Sequence, residues 1–467
     1  MKLALYRLAR LGLALSLGAA LLAALSLGGE GSPGRAEAMS LQAVPGTFVS
    51  AITVLNPATN SASATVSIQF FDSSGNVVTT LNVPSPIPPG GTFFQYVPGI
   101  SGLPPGTYSA VVNSDQPVYA TVNLNSSNPT TGESYNGVNQ AGASVYVPSV
   151  LNGYYGFNSV VVAQNAGSSS ASVTLKLVGK SSLGSVNYTT PAQTIGVNAS
   201  FSWDLASLAS NIGTGFTGAA TVNGNGQNVA VVANVYTPSI TAQTPNYLFG
   251  SGNGFASGSA QAFIPGLYKN YYGFVSALLV QNIDPSQTAT VQVKYSNNAT
   301  DSASIPPGGS ALFYTPGNNQ LPNGWQGSAT VTSTGGQQIL ASVNVQASGQ
   351  AGTGLATYNG FTSGTNTVFA PGLLKSYYGF NSALTIQNVD TQPATVTVKY
   401  SNGASDSPVV LQPGQSKLFY QPGESALPNG FNGGATITSQ GGKIVGLINI
   451  QGATNADQLF STNAFGS

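Results

Sequence analysis

Any chemistry in this chain must do without the side chains that most often supply it: its 467 residues include no histidine and no cysteine. That excludes Ser-His-Asp and Cys-His nucleophiles, imidazole and thiolate metal centres, disulfides and a lipid-modified cysteine. Paired carboxylates are what is left for a hydrolase. Asp284 and Asp390 each stand two residues after a Gln-Asn pair, and Asp301 and Asp406 stand six residues after Tyr295 and Tyr400. Asp72, Asp115, Asp204 and Asp457 stand alone. Lone loop aspartates bond their own backbone and make turns, so no catalytic residue and no cofactor site is assigned. Calcium is the one ion these oxygens could suit, at Asn282/Asp284 and Asn388/Asp390, although Ala58 and Gly167 break the pattern in the earlier copies.

Two asparagine sets recur in step. One is Asn56, Asn165, Asn282 and Asn388; the other is Asn123, Asn234, Asn344 and Asn449. A Lys-Asn isopeptide crosslink would require a buried lysine, yet Lys294 and Lys399 alternate with apolar neighbours and fall on the wet face of their strands. The asparagines are therefore expected to satisfy backbone groups at strand ends or to lie on a lateral face.

These recurrences belong to a longer repeat. Tyr154-Tyr155-Gly156-Phe157 returns as Tyr271-Tyr272-Gly273-Phe274 and as Tyr377-Tyr378-Gly379-Phe380, and a fainter copy begins near Val44 with Phe48 in register. The spacing of about 110 residues gives each copy enough chain for its own core. The organisation read from this is a signal peptide over 1–38, a degenerate repeat over 39–143, and repeats over 144–261, 262–367 and 368–467. Within each copy the apolar period is two, with Pro-Gly and Gly-Gly punctuation. About seven short strands per copy predict an all-β chain of four tandem immunoglobulin-like β-sandwiches.

Lys2, Arg7 and Arg10 followed by an apolar run from Leu11 to Leu27 read as a secretory signal, with Ala36-Glu37-Ala38 as the cleavage point or, if uncut, an anchor. No other apolar run is long enough to span a membrane. Of 12 basic and 12 acidic residues, four and two lie in the leader, leaving 8 lysines and 10 acids, a net charge of −2. Dispersed lysines exclude nucleic acid as a partner. A nearly uncharged surface of Ser, Thr, Asn, Gln and Gly favours self-association or assembly with other envelope components.

The aromatic blocks are read as joints. Tyr154, Tyr155 and Phe157, with Tyr271, Tyr272 and Phe274 and with Tyr377, Tyr378 and Phe380, are expected to pack each repeat against the one before it, since the first copy has no predecessor and lacks the tyrosines. Phe216, Trp325 and Phe431 are candidate glycan-stacking residues. Four sandwiches end to end would form a rod on the order of 150 Å long.

The VFAP-GLLK-SYYGFNSALTIQN block, the ATVTVKYSNG strand and the LFYQPGESALPNGFNGGATITS run resemble the tandem sandwich repeats of secreted bacterial cell-surface proteins of the envelope or adhesin type. The resemblance implies no enzymatic activity. It implies an extracellular or cell-surface structural protein, such as an S-layer, filament or adhesive rod subunit, with a carbohydrate-binding module array as the alternative.

Overall fold

The computed structural model describes residues 35–37, 44–138, 140–241, 246–347, 353–452 and 457–466. Its elements are nearly all strands. The leader reading falls on residues outside the described ones, except that Arg35–Glu37 runs antiparallel to Ser109–Val111 as a strand. Among the described residues no helix is long and apolar enough to cross a membrane.

Alternation builds each strand. In Ala289–Tyr295 every second side chain is buried and Lys294 points to solvent; Ala394–Tyr400 follows the same rule with Lys399. The strands fall into four sets of like topology. In the third set they are Gln261–Tyr271, Phe274–Asn282, Ala289–Tyr295, Thr300–Ile305, Ser310–Tyr314, Trp325–Ser333, Ile339–Ala347 and Gly354–Asn359, one to eight in order. One half has the order fourth, third, sixth, first and the other fifth, second, seventh, eighth, and the two halves are joined into one sheet where the first strand pairs the second at the hairpin. An apolar core of Ile264, Leu278, Val293, Val331, Val343 and their neighbours fills the space between.

The first strands are bulged around Pro265-Gly266 and Pro371-Gly372. The YYGF blocks are the hairpins from first strand to second. Tyr272 (φ 49°) and Gly273 (φ 92°) form a turn with two consecutive positive φ values, as do Tyr155-Gly156 and Tyr378-Gly379.

The end-to-end rod is not what the chain forms. The eighth strands Thr130–Asn136, Phe249–Asn253, Gly354–Asn359 and Leu459–Asn463 contact one another in cyclic order, and the last returns to the first. Closure between the fourth and first repeats is sealed by Leu55, Tyr119, Phe369 and Phe465, with the Tyr119 and Phe465 rings stacked at 5.7 Å. Each eighth strand is a sheet edge, which exposes backbone donors and acceptors unless covered. Here each edge is covered by the others. Close approach selects glycine: a Cβ on Gly354 would come within 2.5 Å of Leu459, and one on Gly132 within 3.1 Å of the Phe460 ring.

The first asparagine set ties strand ends together. Asn388 is fully buried, donates to the carbonyls of Gln392 (2.8 Å) and Leu411 (2.9 Å), and accepts from Asp390 N–H. Asn56, Asn165 and Asn282 repeat the double donation. Asn388→Ala would leave the buried Leu411 carbonyl without its donor and is expected to cost about 1–3 kcal/mol. A thermal melt checks it, and an unchanged midpoint would refute the assignment.

Candidate binding sites at the axis and the repeat junctions

Strands meeting edge-on around an axis aim spare N–H groups inward, and two buried acids collect them. Glu133, on the eighth strand of repeat 1, accepts from Ser134 N–H at 2.8 Å and from Ser461 N–H of repeat 4 at 3.3 Å through Oε1. Its Oε2 has no partner. Asp457 of repeat 4 accepts from Phe249 N–H of repeat 2 at 2.6 Å and from Leu355 N–H of repeat 3 at 3.0 Å. Burial pushes both carboxyls well above their ordinary range, and the charge of Asp457 adds to the rise at Glu133. Asp457 is thus a pin between repeats, not the turn former its isolation in the sequence suggested.

Above the acids lies a layer in which Ser134, Ser251, Thr357 and Ser461 donate to Asn123, Asn234, Asn344 and Asn449 at 2.6–2.9 Å, which accounts for the second asparagine set. Then comes a ladder of asparagines. Asn253 donates to the Asn136 carbonyl, Asn359 to that of Asn253 and Asn463 to that of Asn359, at 2.6, 3.0 and 2.7 Å. These residues line a polar pocket of about 320 Å³.

The lateral junctions use buried glutamines. Gln281 donates to the Ala220 carbonyl of repeat 2 at 3.3 Å, and Gln387 to the equivalent Ala329 carbonyl of repeat 3 at 3.1 Å. These are the glutamines of the Gln-Asn pairs, whose recurrence was the available signal for their role. Apolar contacts complete the joints: Phe48 with Phe249, Leu355 with Leu151 and Val235, and Leu447 and Leu459 with the core of repeat 3.

The expected aromatic joint is redrawn in two ways. First, Tyr154 and Phe157 join the cluster holding Leu355 of repeat 3, and Tyr271 and Phe274 pack on the core that takes Leu447 and Leu459 of repeat 4, so these blocks face the following repeat and not the preceding one. Tyr377 and Phe380 pack on the core of repeat 4 itself. Second, the other tyrosine of each pair stands in solvent: Tyr155 is 70%, Tyr272 69% and Tyr378 55% exposed. Each pair is T-shaped with centroids 4.8 Å apart. Between repeats 3 and 4 they border a cleft of about 560 Å³ shared by Tyr271, Tyr272 and Tyr420.

The proposed stacking residues are core plugs. Phe216 and Phe431 are buried, the latter edge-on to Tyr400, and Trp325 lies edge-on to Tyr295 at 5.8 Å, because an aromatic at the head of the sixth strand fills the end of its own core. At the calcium candidates, Asp284 accepts from Ser286 and Gln287 N–H and Asn282 from Asp284 N–H, an arrangement that spends the oxygens on turns. These backbone bonds hold the carboxyls of Asp284 and Asp390 below their ordinary range. Asp301 and Asp406 accept from the phenols of Tyr295 and Tyr400 at 2.8 and 2.7 Å. Among the described residues no three His, Cys, Asp or Glu side chains stand together as a metal group.

No family model and no curated protein matches the chain. Among solved structures, one described as Thermotoga maritima 1070 is 16% identical, aligns with 23% of this chain and 96% of its own, and has a TM-score of 0.21. The Anabaena sensory rhodopsin transducer is 14% identical over 18% of this chain and 94% of its own, at a TM-score of 0.14. Bacillus subtilis oxalate decarboxylase aligns at 11% identity over 47% and 68%, at 0.15. Likeness this slight speaks for neither fold family nor function.

Proposed function

We propose that this is an exported, non-enzymatic structural protein of the cell surface or extracellular space, in which four immunoglobulin-like sandwiches close into one block that assembles side by side. The observation that carries it is the state of the outer edges. Closure uses up the eighth strands, while the fourth strands Val77–Asn82, Gly184–Thr189, Thr300–Ile305 and Val409–Leu411 end their sheets. Asp301 is their one charge, and Val77 and Val410 are 52% and 57% exposed. Bare, charge-poor edges are templates for pairing with another chain. The basic start followed by an apolar run supports export, and the lack of His and Cys supports a non-catalytic role.

Negative-stain microscopy over a concentration series, with and without calcium, tests this. The native chain is expected to give ordered arrays or filaments in both, and Val77→Lys/Val410→Lys is expected to leave separate particles. Separate particles of the native chain at every concentration would contradict the proposal.

A further inference from the structure

The exposed tyrosines have a cost that packing does not explain. Tyr155, Tyr272 and Tyr378 adopt φ of 50°, 49° and 47°, where a bulky side chain is strained and Asn or Gly is at ease. Each nevertheless holds its ring in water. Strain held at equivalent exposed positions is a mark of function.

Each has a counterpart across the joint. Tyr314 and Tyr420 end the fifth strands of repeats 3 and 4; they are 46% and 51% exposed. Tyr420 shares the cleft with Tyr272, and the phenol of Tyr314 is pushed up by burial and by neighbouring Tyr155. Repeat 1 has Tyr96 at this position, pairing Ala51 as Tyr420 pairs Ala383, and so offers the counterpart for Tyr378 of repeat 4. Repeat 2 has Asp204 there, and repeat 1 has Gly46 where the exposed tyrosine would stand. The two halves are therefore present together at three joints and lost together at the joint of repeats 1 and 2. Independent surface residues have no reason to follow that pattern.

We infer that these three tyrosine-paired joints bind a neutral polysaccharide, one segment per joint. In the cleft between repeats 3 and 4, Tyr272 and Tyr420 offer aromatic faces for the apolar faces of sugar rings, and Asn381, whose Oδ1 accepts from Ser376 N–H, has its amide N–H groups to offer a hydroxyl. Among the described residues no charged side chain lines it, which disfavours an ionic ligand. Similar tyrosine pairs repeated around a ring suit a ligand that itself repeats, and three linked sites would raise avidity well above single-site affinity.

Calorimetric titration of the full chain with cellohexaose and chitohexaose tests this, with decaproline as the peptide probe for an aromatic groove. Saturable binding of one of the oligosaccharides at three sites is expected. Tyr272→Asn, which relieves the turn and should fold at least as well, is expected to remove one of the three sites, and Tyr420→Ala to weaken the same site roughly tenfold or more. No binding of either sugar, binding of decaproline alone, or a stoichiometry untouched by both variants would overturn the inference. Because Tyr272 stands in the hairpin from first strand to second and on no fourth strand, array formation by Tyr272→Asn separates this outcome from the fate of the assembly proposal.

Discussion

Glu133→Ala is expected to destabilise the protein by about 3–5 kcal/mol, since it strips the acceptor from buried N–H groups of two repeats and leaves a hole on the axis. Glu133→Gln keeps an acceptor oxygen in place and should cost much less. The pH dependence separates the two further. Burial raises the folded-state values of Glu133 and Asp457 above the ordinary 4.5 and 3.8. The native chain then holds protons that the unfolded chain has released, so their contribution is full below the ordinary values and is lost as pH rises toward the raised ones. Stability should therefore fall as pH rises above about 4. Glu133→Gln combined with Asp457→Asn should flatten that slope. Denaturant melts across pH check both expectations; a slope unchanged in the double variant would show that these acids do not titrate with folding.

Phe465→Ala is the second large effect. Phe465 is buried between repeats 4 and 1, stacked on Tyr119 and packed with Leu55 and Phe369. Truncation should cost about 3–5 kcal/mol in lost packing. Its distinguishing consequence is local: the seam between first and last repeats should lose protection from hydrogen exchange, while the Gln387 joint of repeats 3 and 4 keeps it. Equal loss at both joints would mean that the ring is one cooperative unit whose closure has no separate stability.

Period-two strands were legible because each sheet has one buried face, and the Gly335-Gly336 turn announced itself by composition, with Gly336 at φ 79°. The eighth strands were not. Thr-Thr-Gly-Glu-Ser-Tyr-Asn and Phe-Gly-Ser-Gly-Asn carry no apolar alternation, because their burial comes from neighbouring repeats and their small or polar side chains are what lets four edges converge. Sequence order suggests neighbours one and two, two and three, three and four; a contact between four and one leaves no local signal. The same omission misdirected the tyrosines. With a linear chain in mind, a motif missing from the first repeat implies a contact with the predecessor; in a closed ring it marks the joint of repeats 1 and 2, and the intact Tyr96 of that otherwise degenerate repeat becomes intelligible. Glu133 and Asp457 were hidden for a related reason: a ring needs each pin once, so neither acid repeats.

Closure is the claim on which the pins, the asparagine ladder and the paired tyrosines all depend, and small-angle X-ray scattering of the dilute protein tests it most directly. A closed block of this length should have a radius of gyration of roughly 23 Å. An open string of four sandwiches about 150 Å long would give about 43 Å, and a value near that figure would contradict the account.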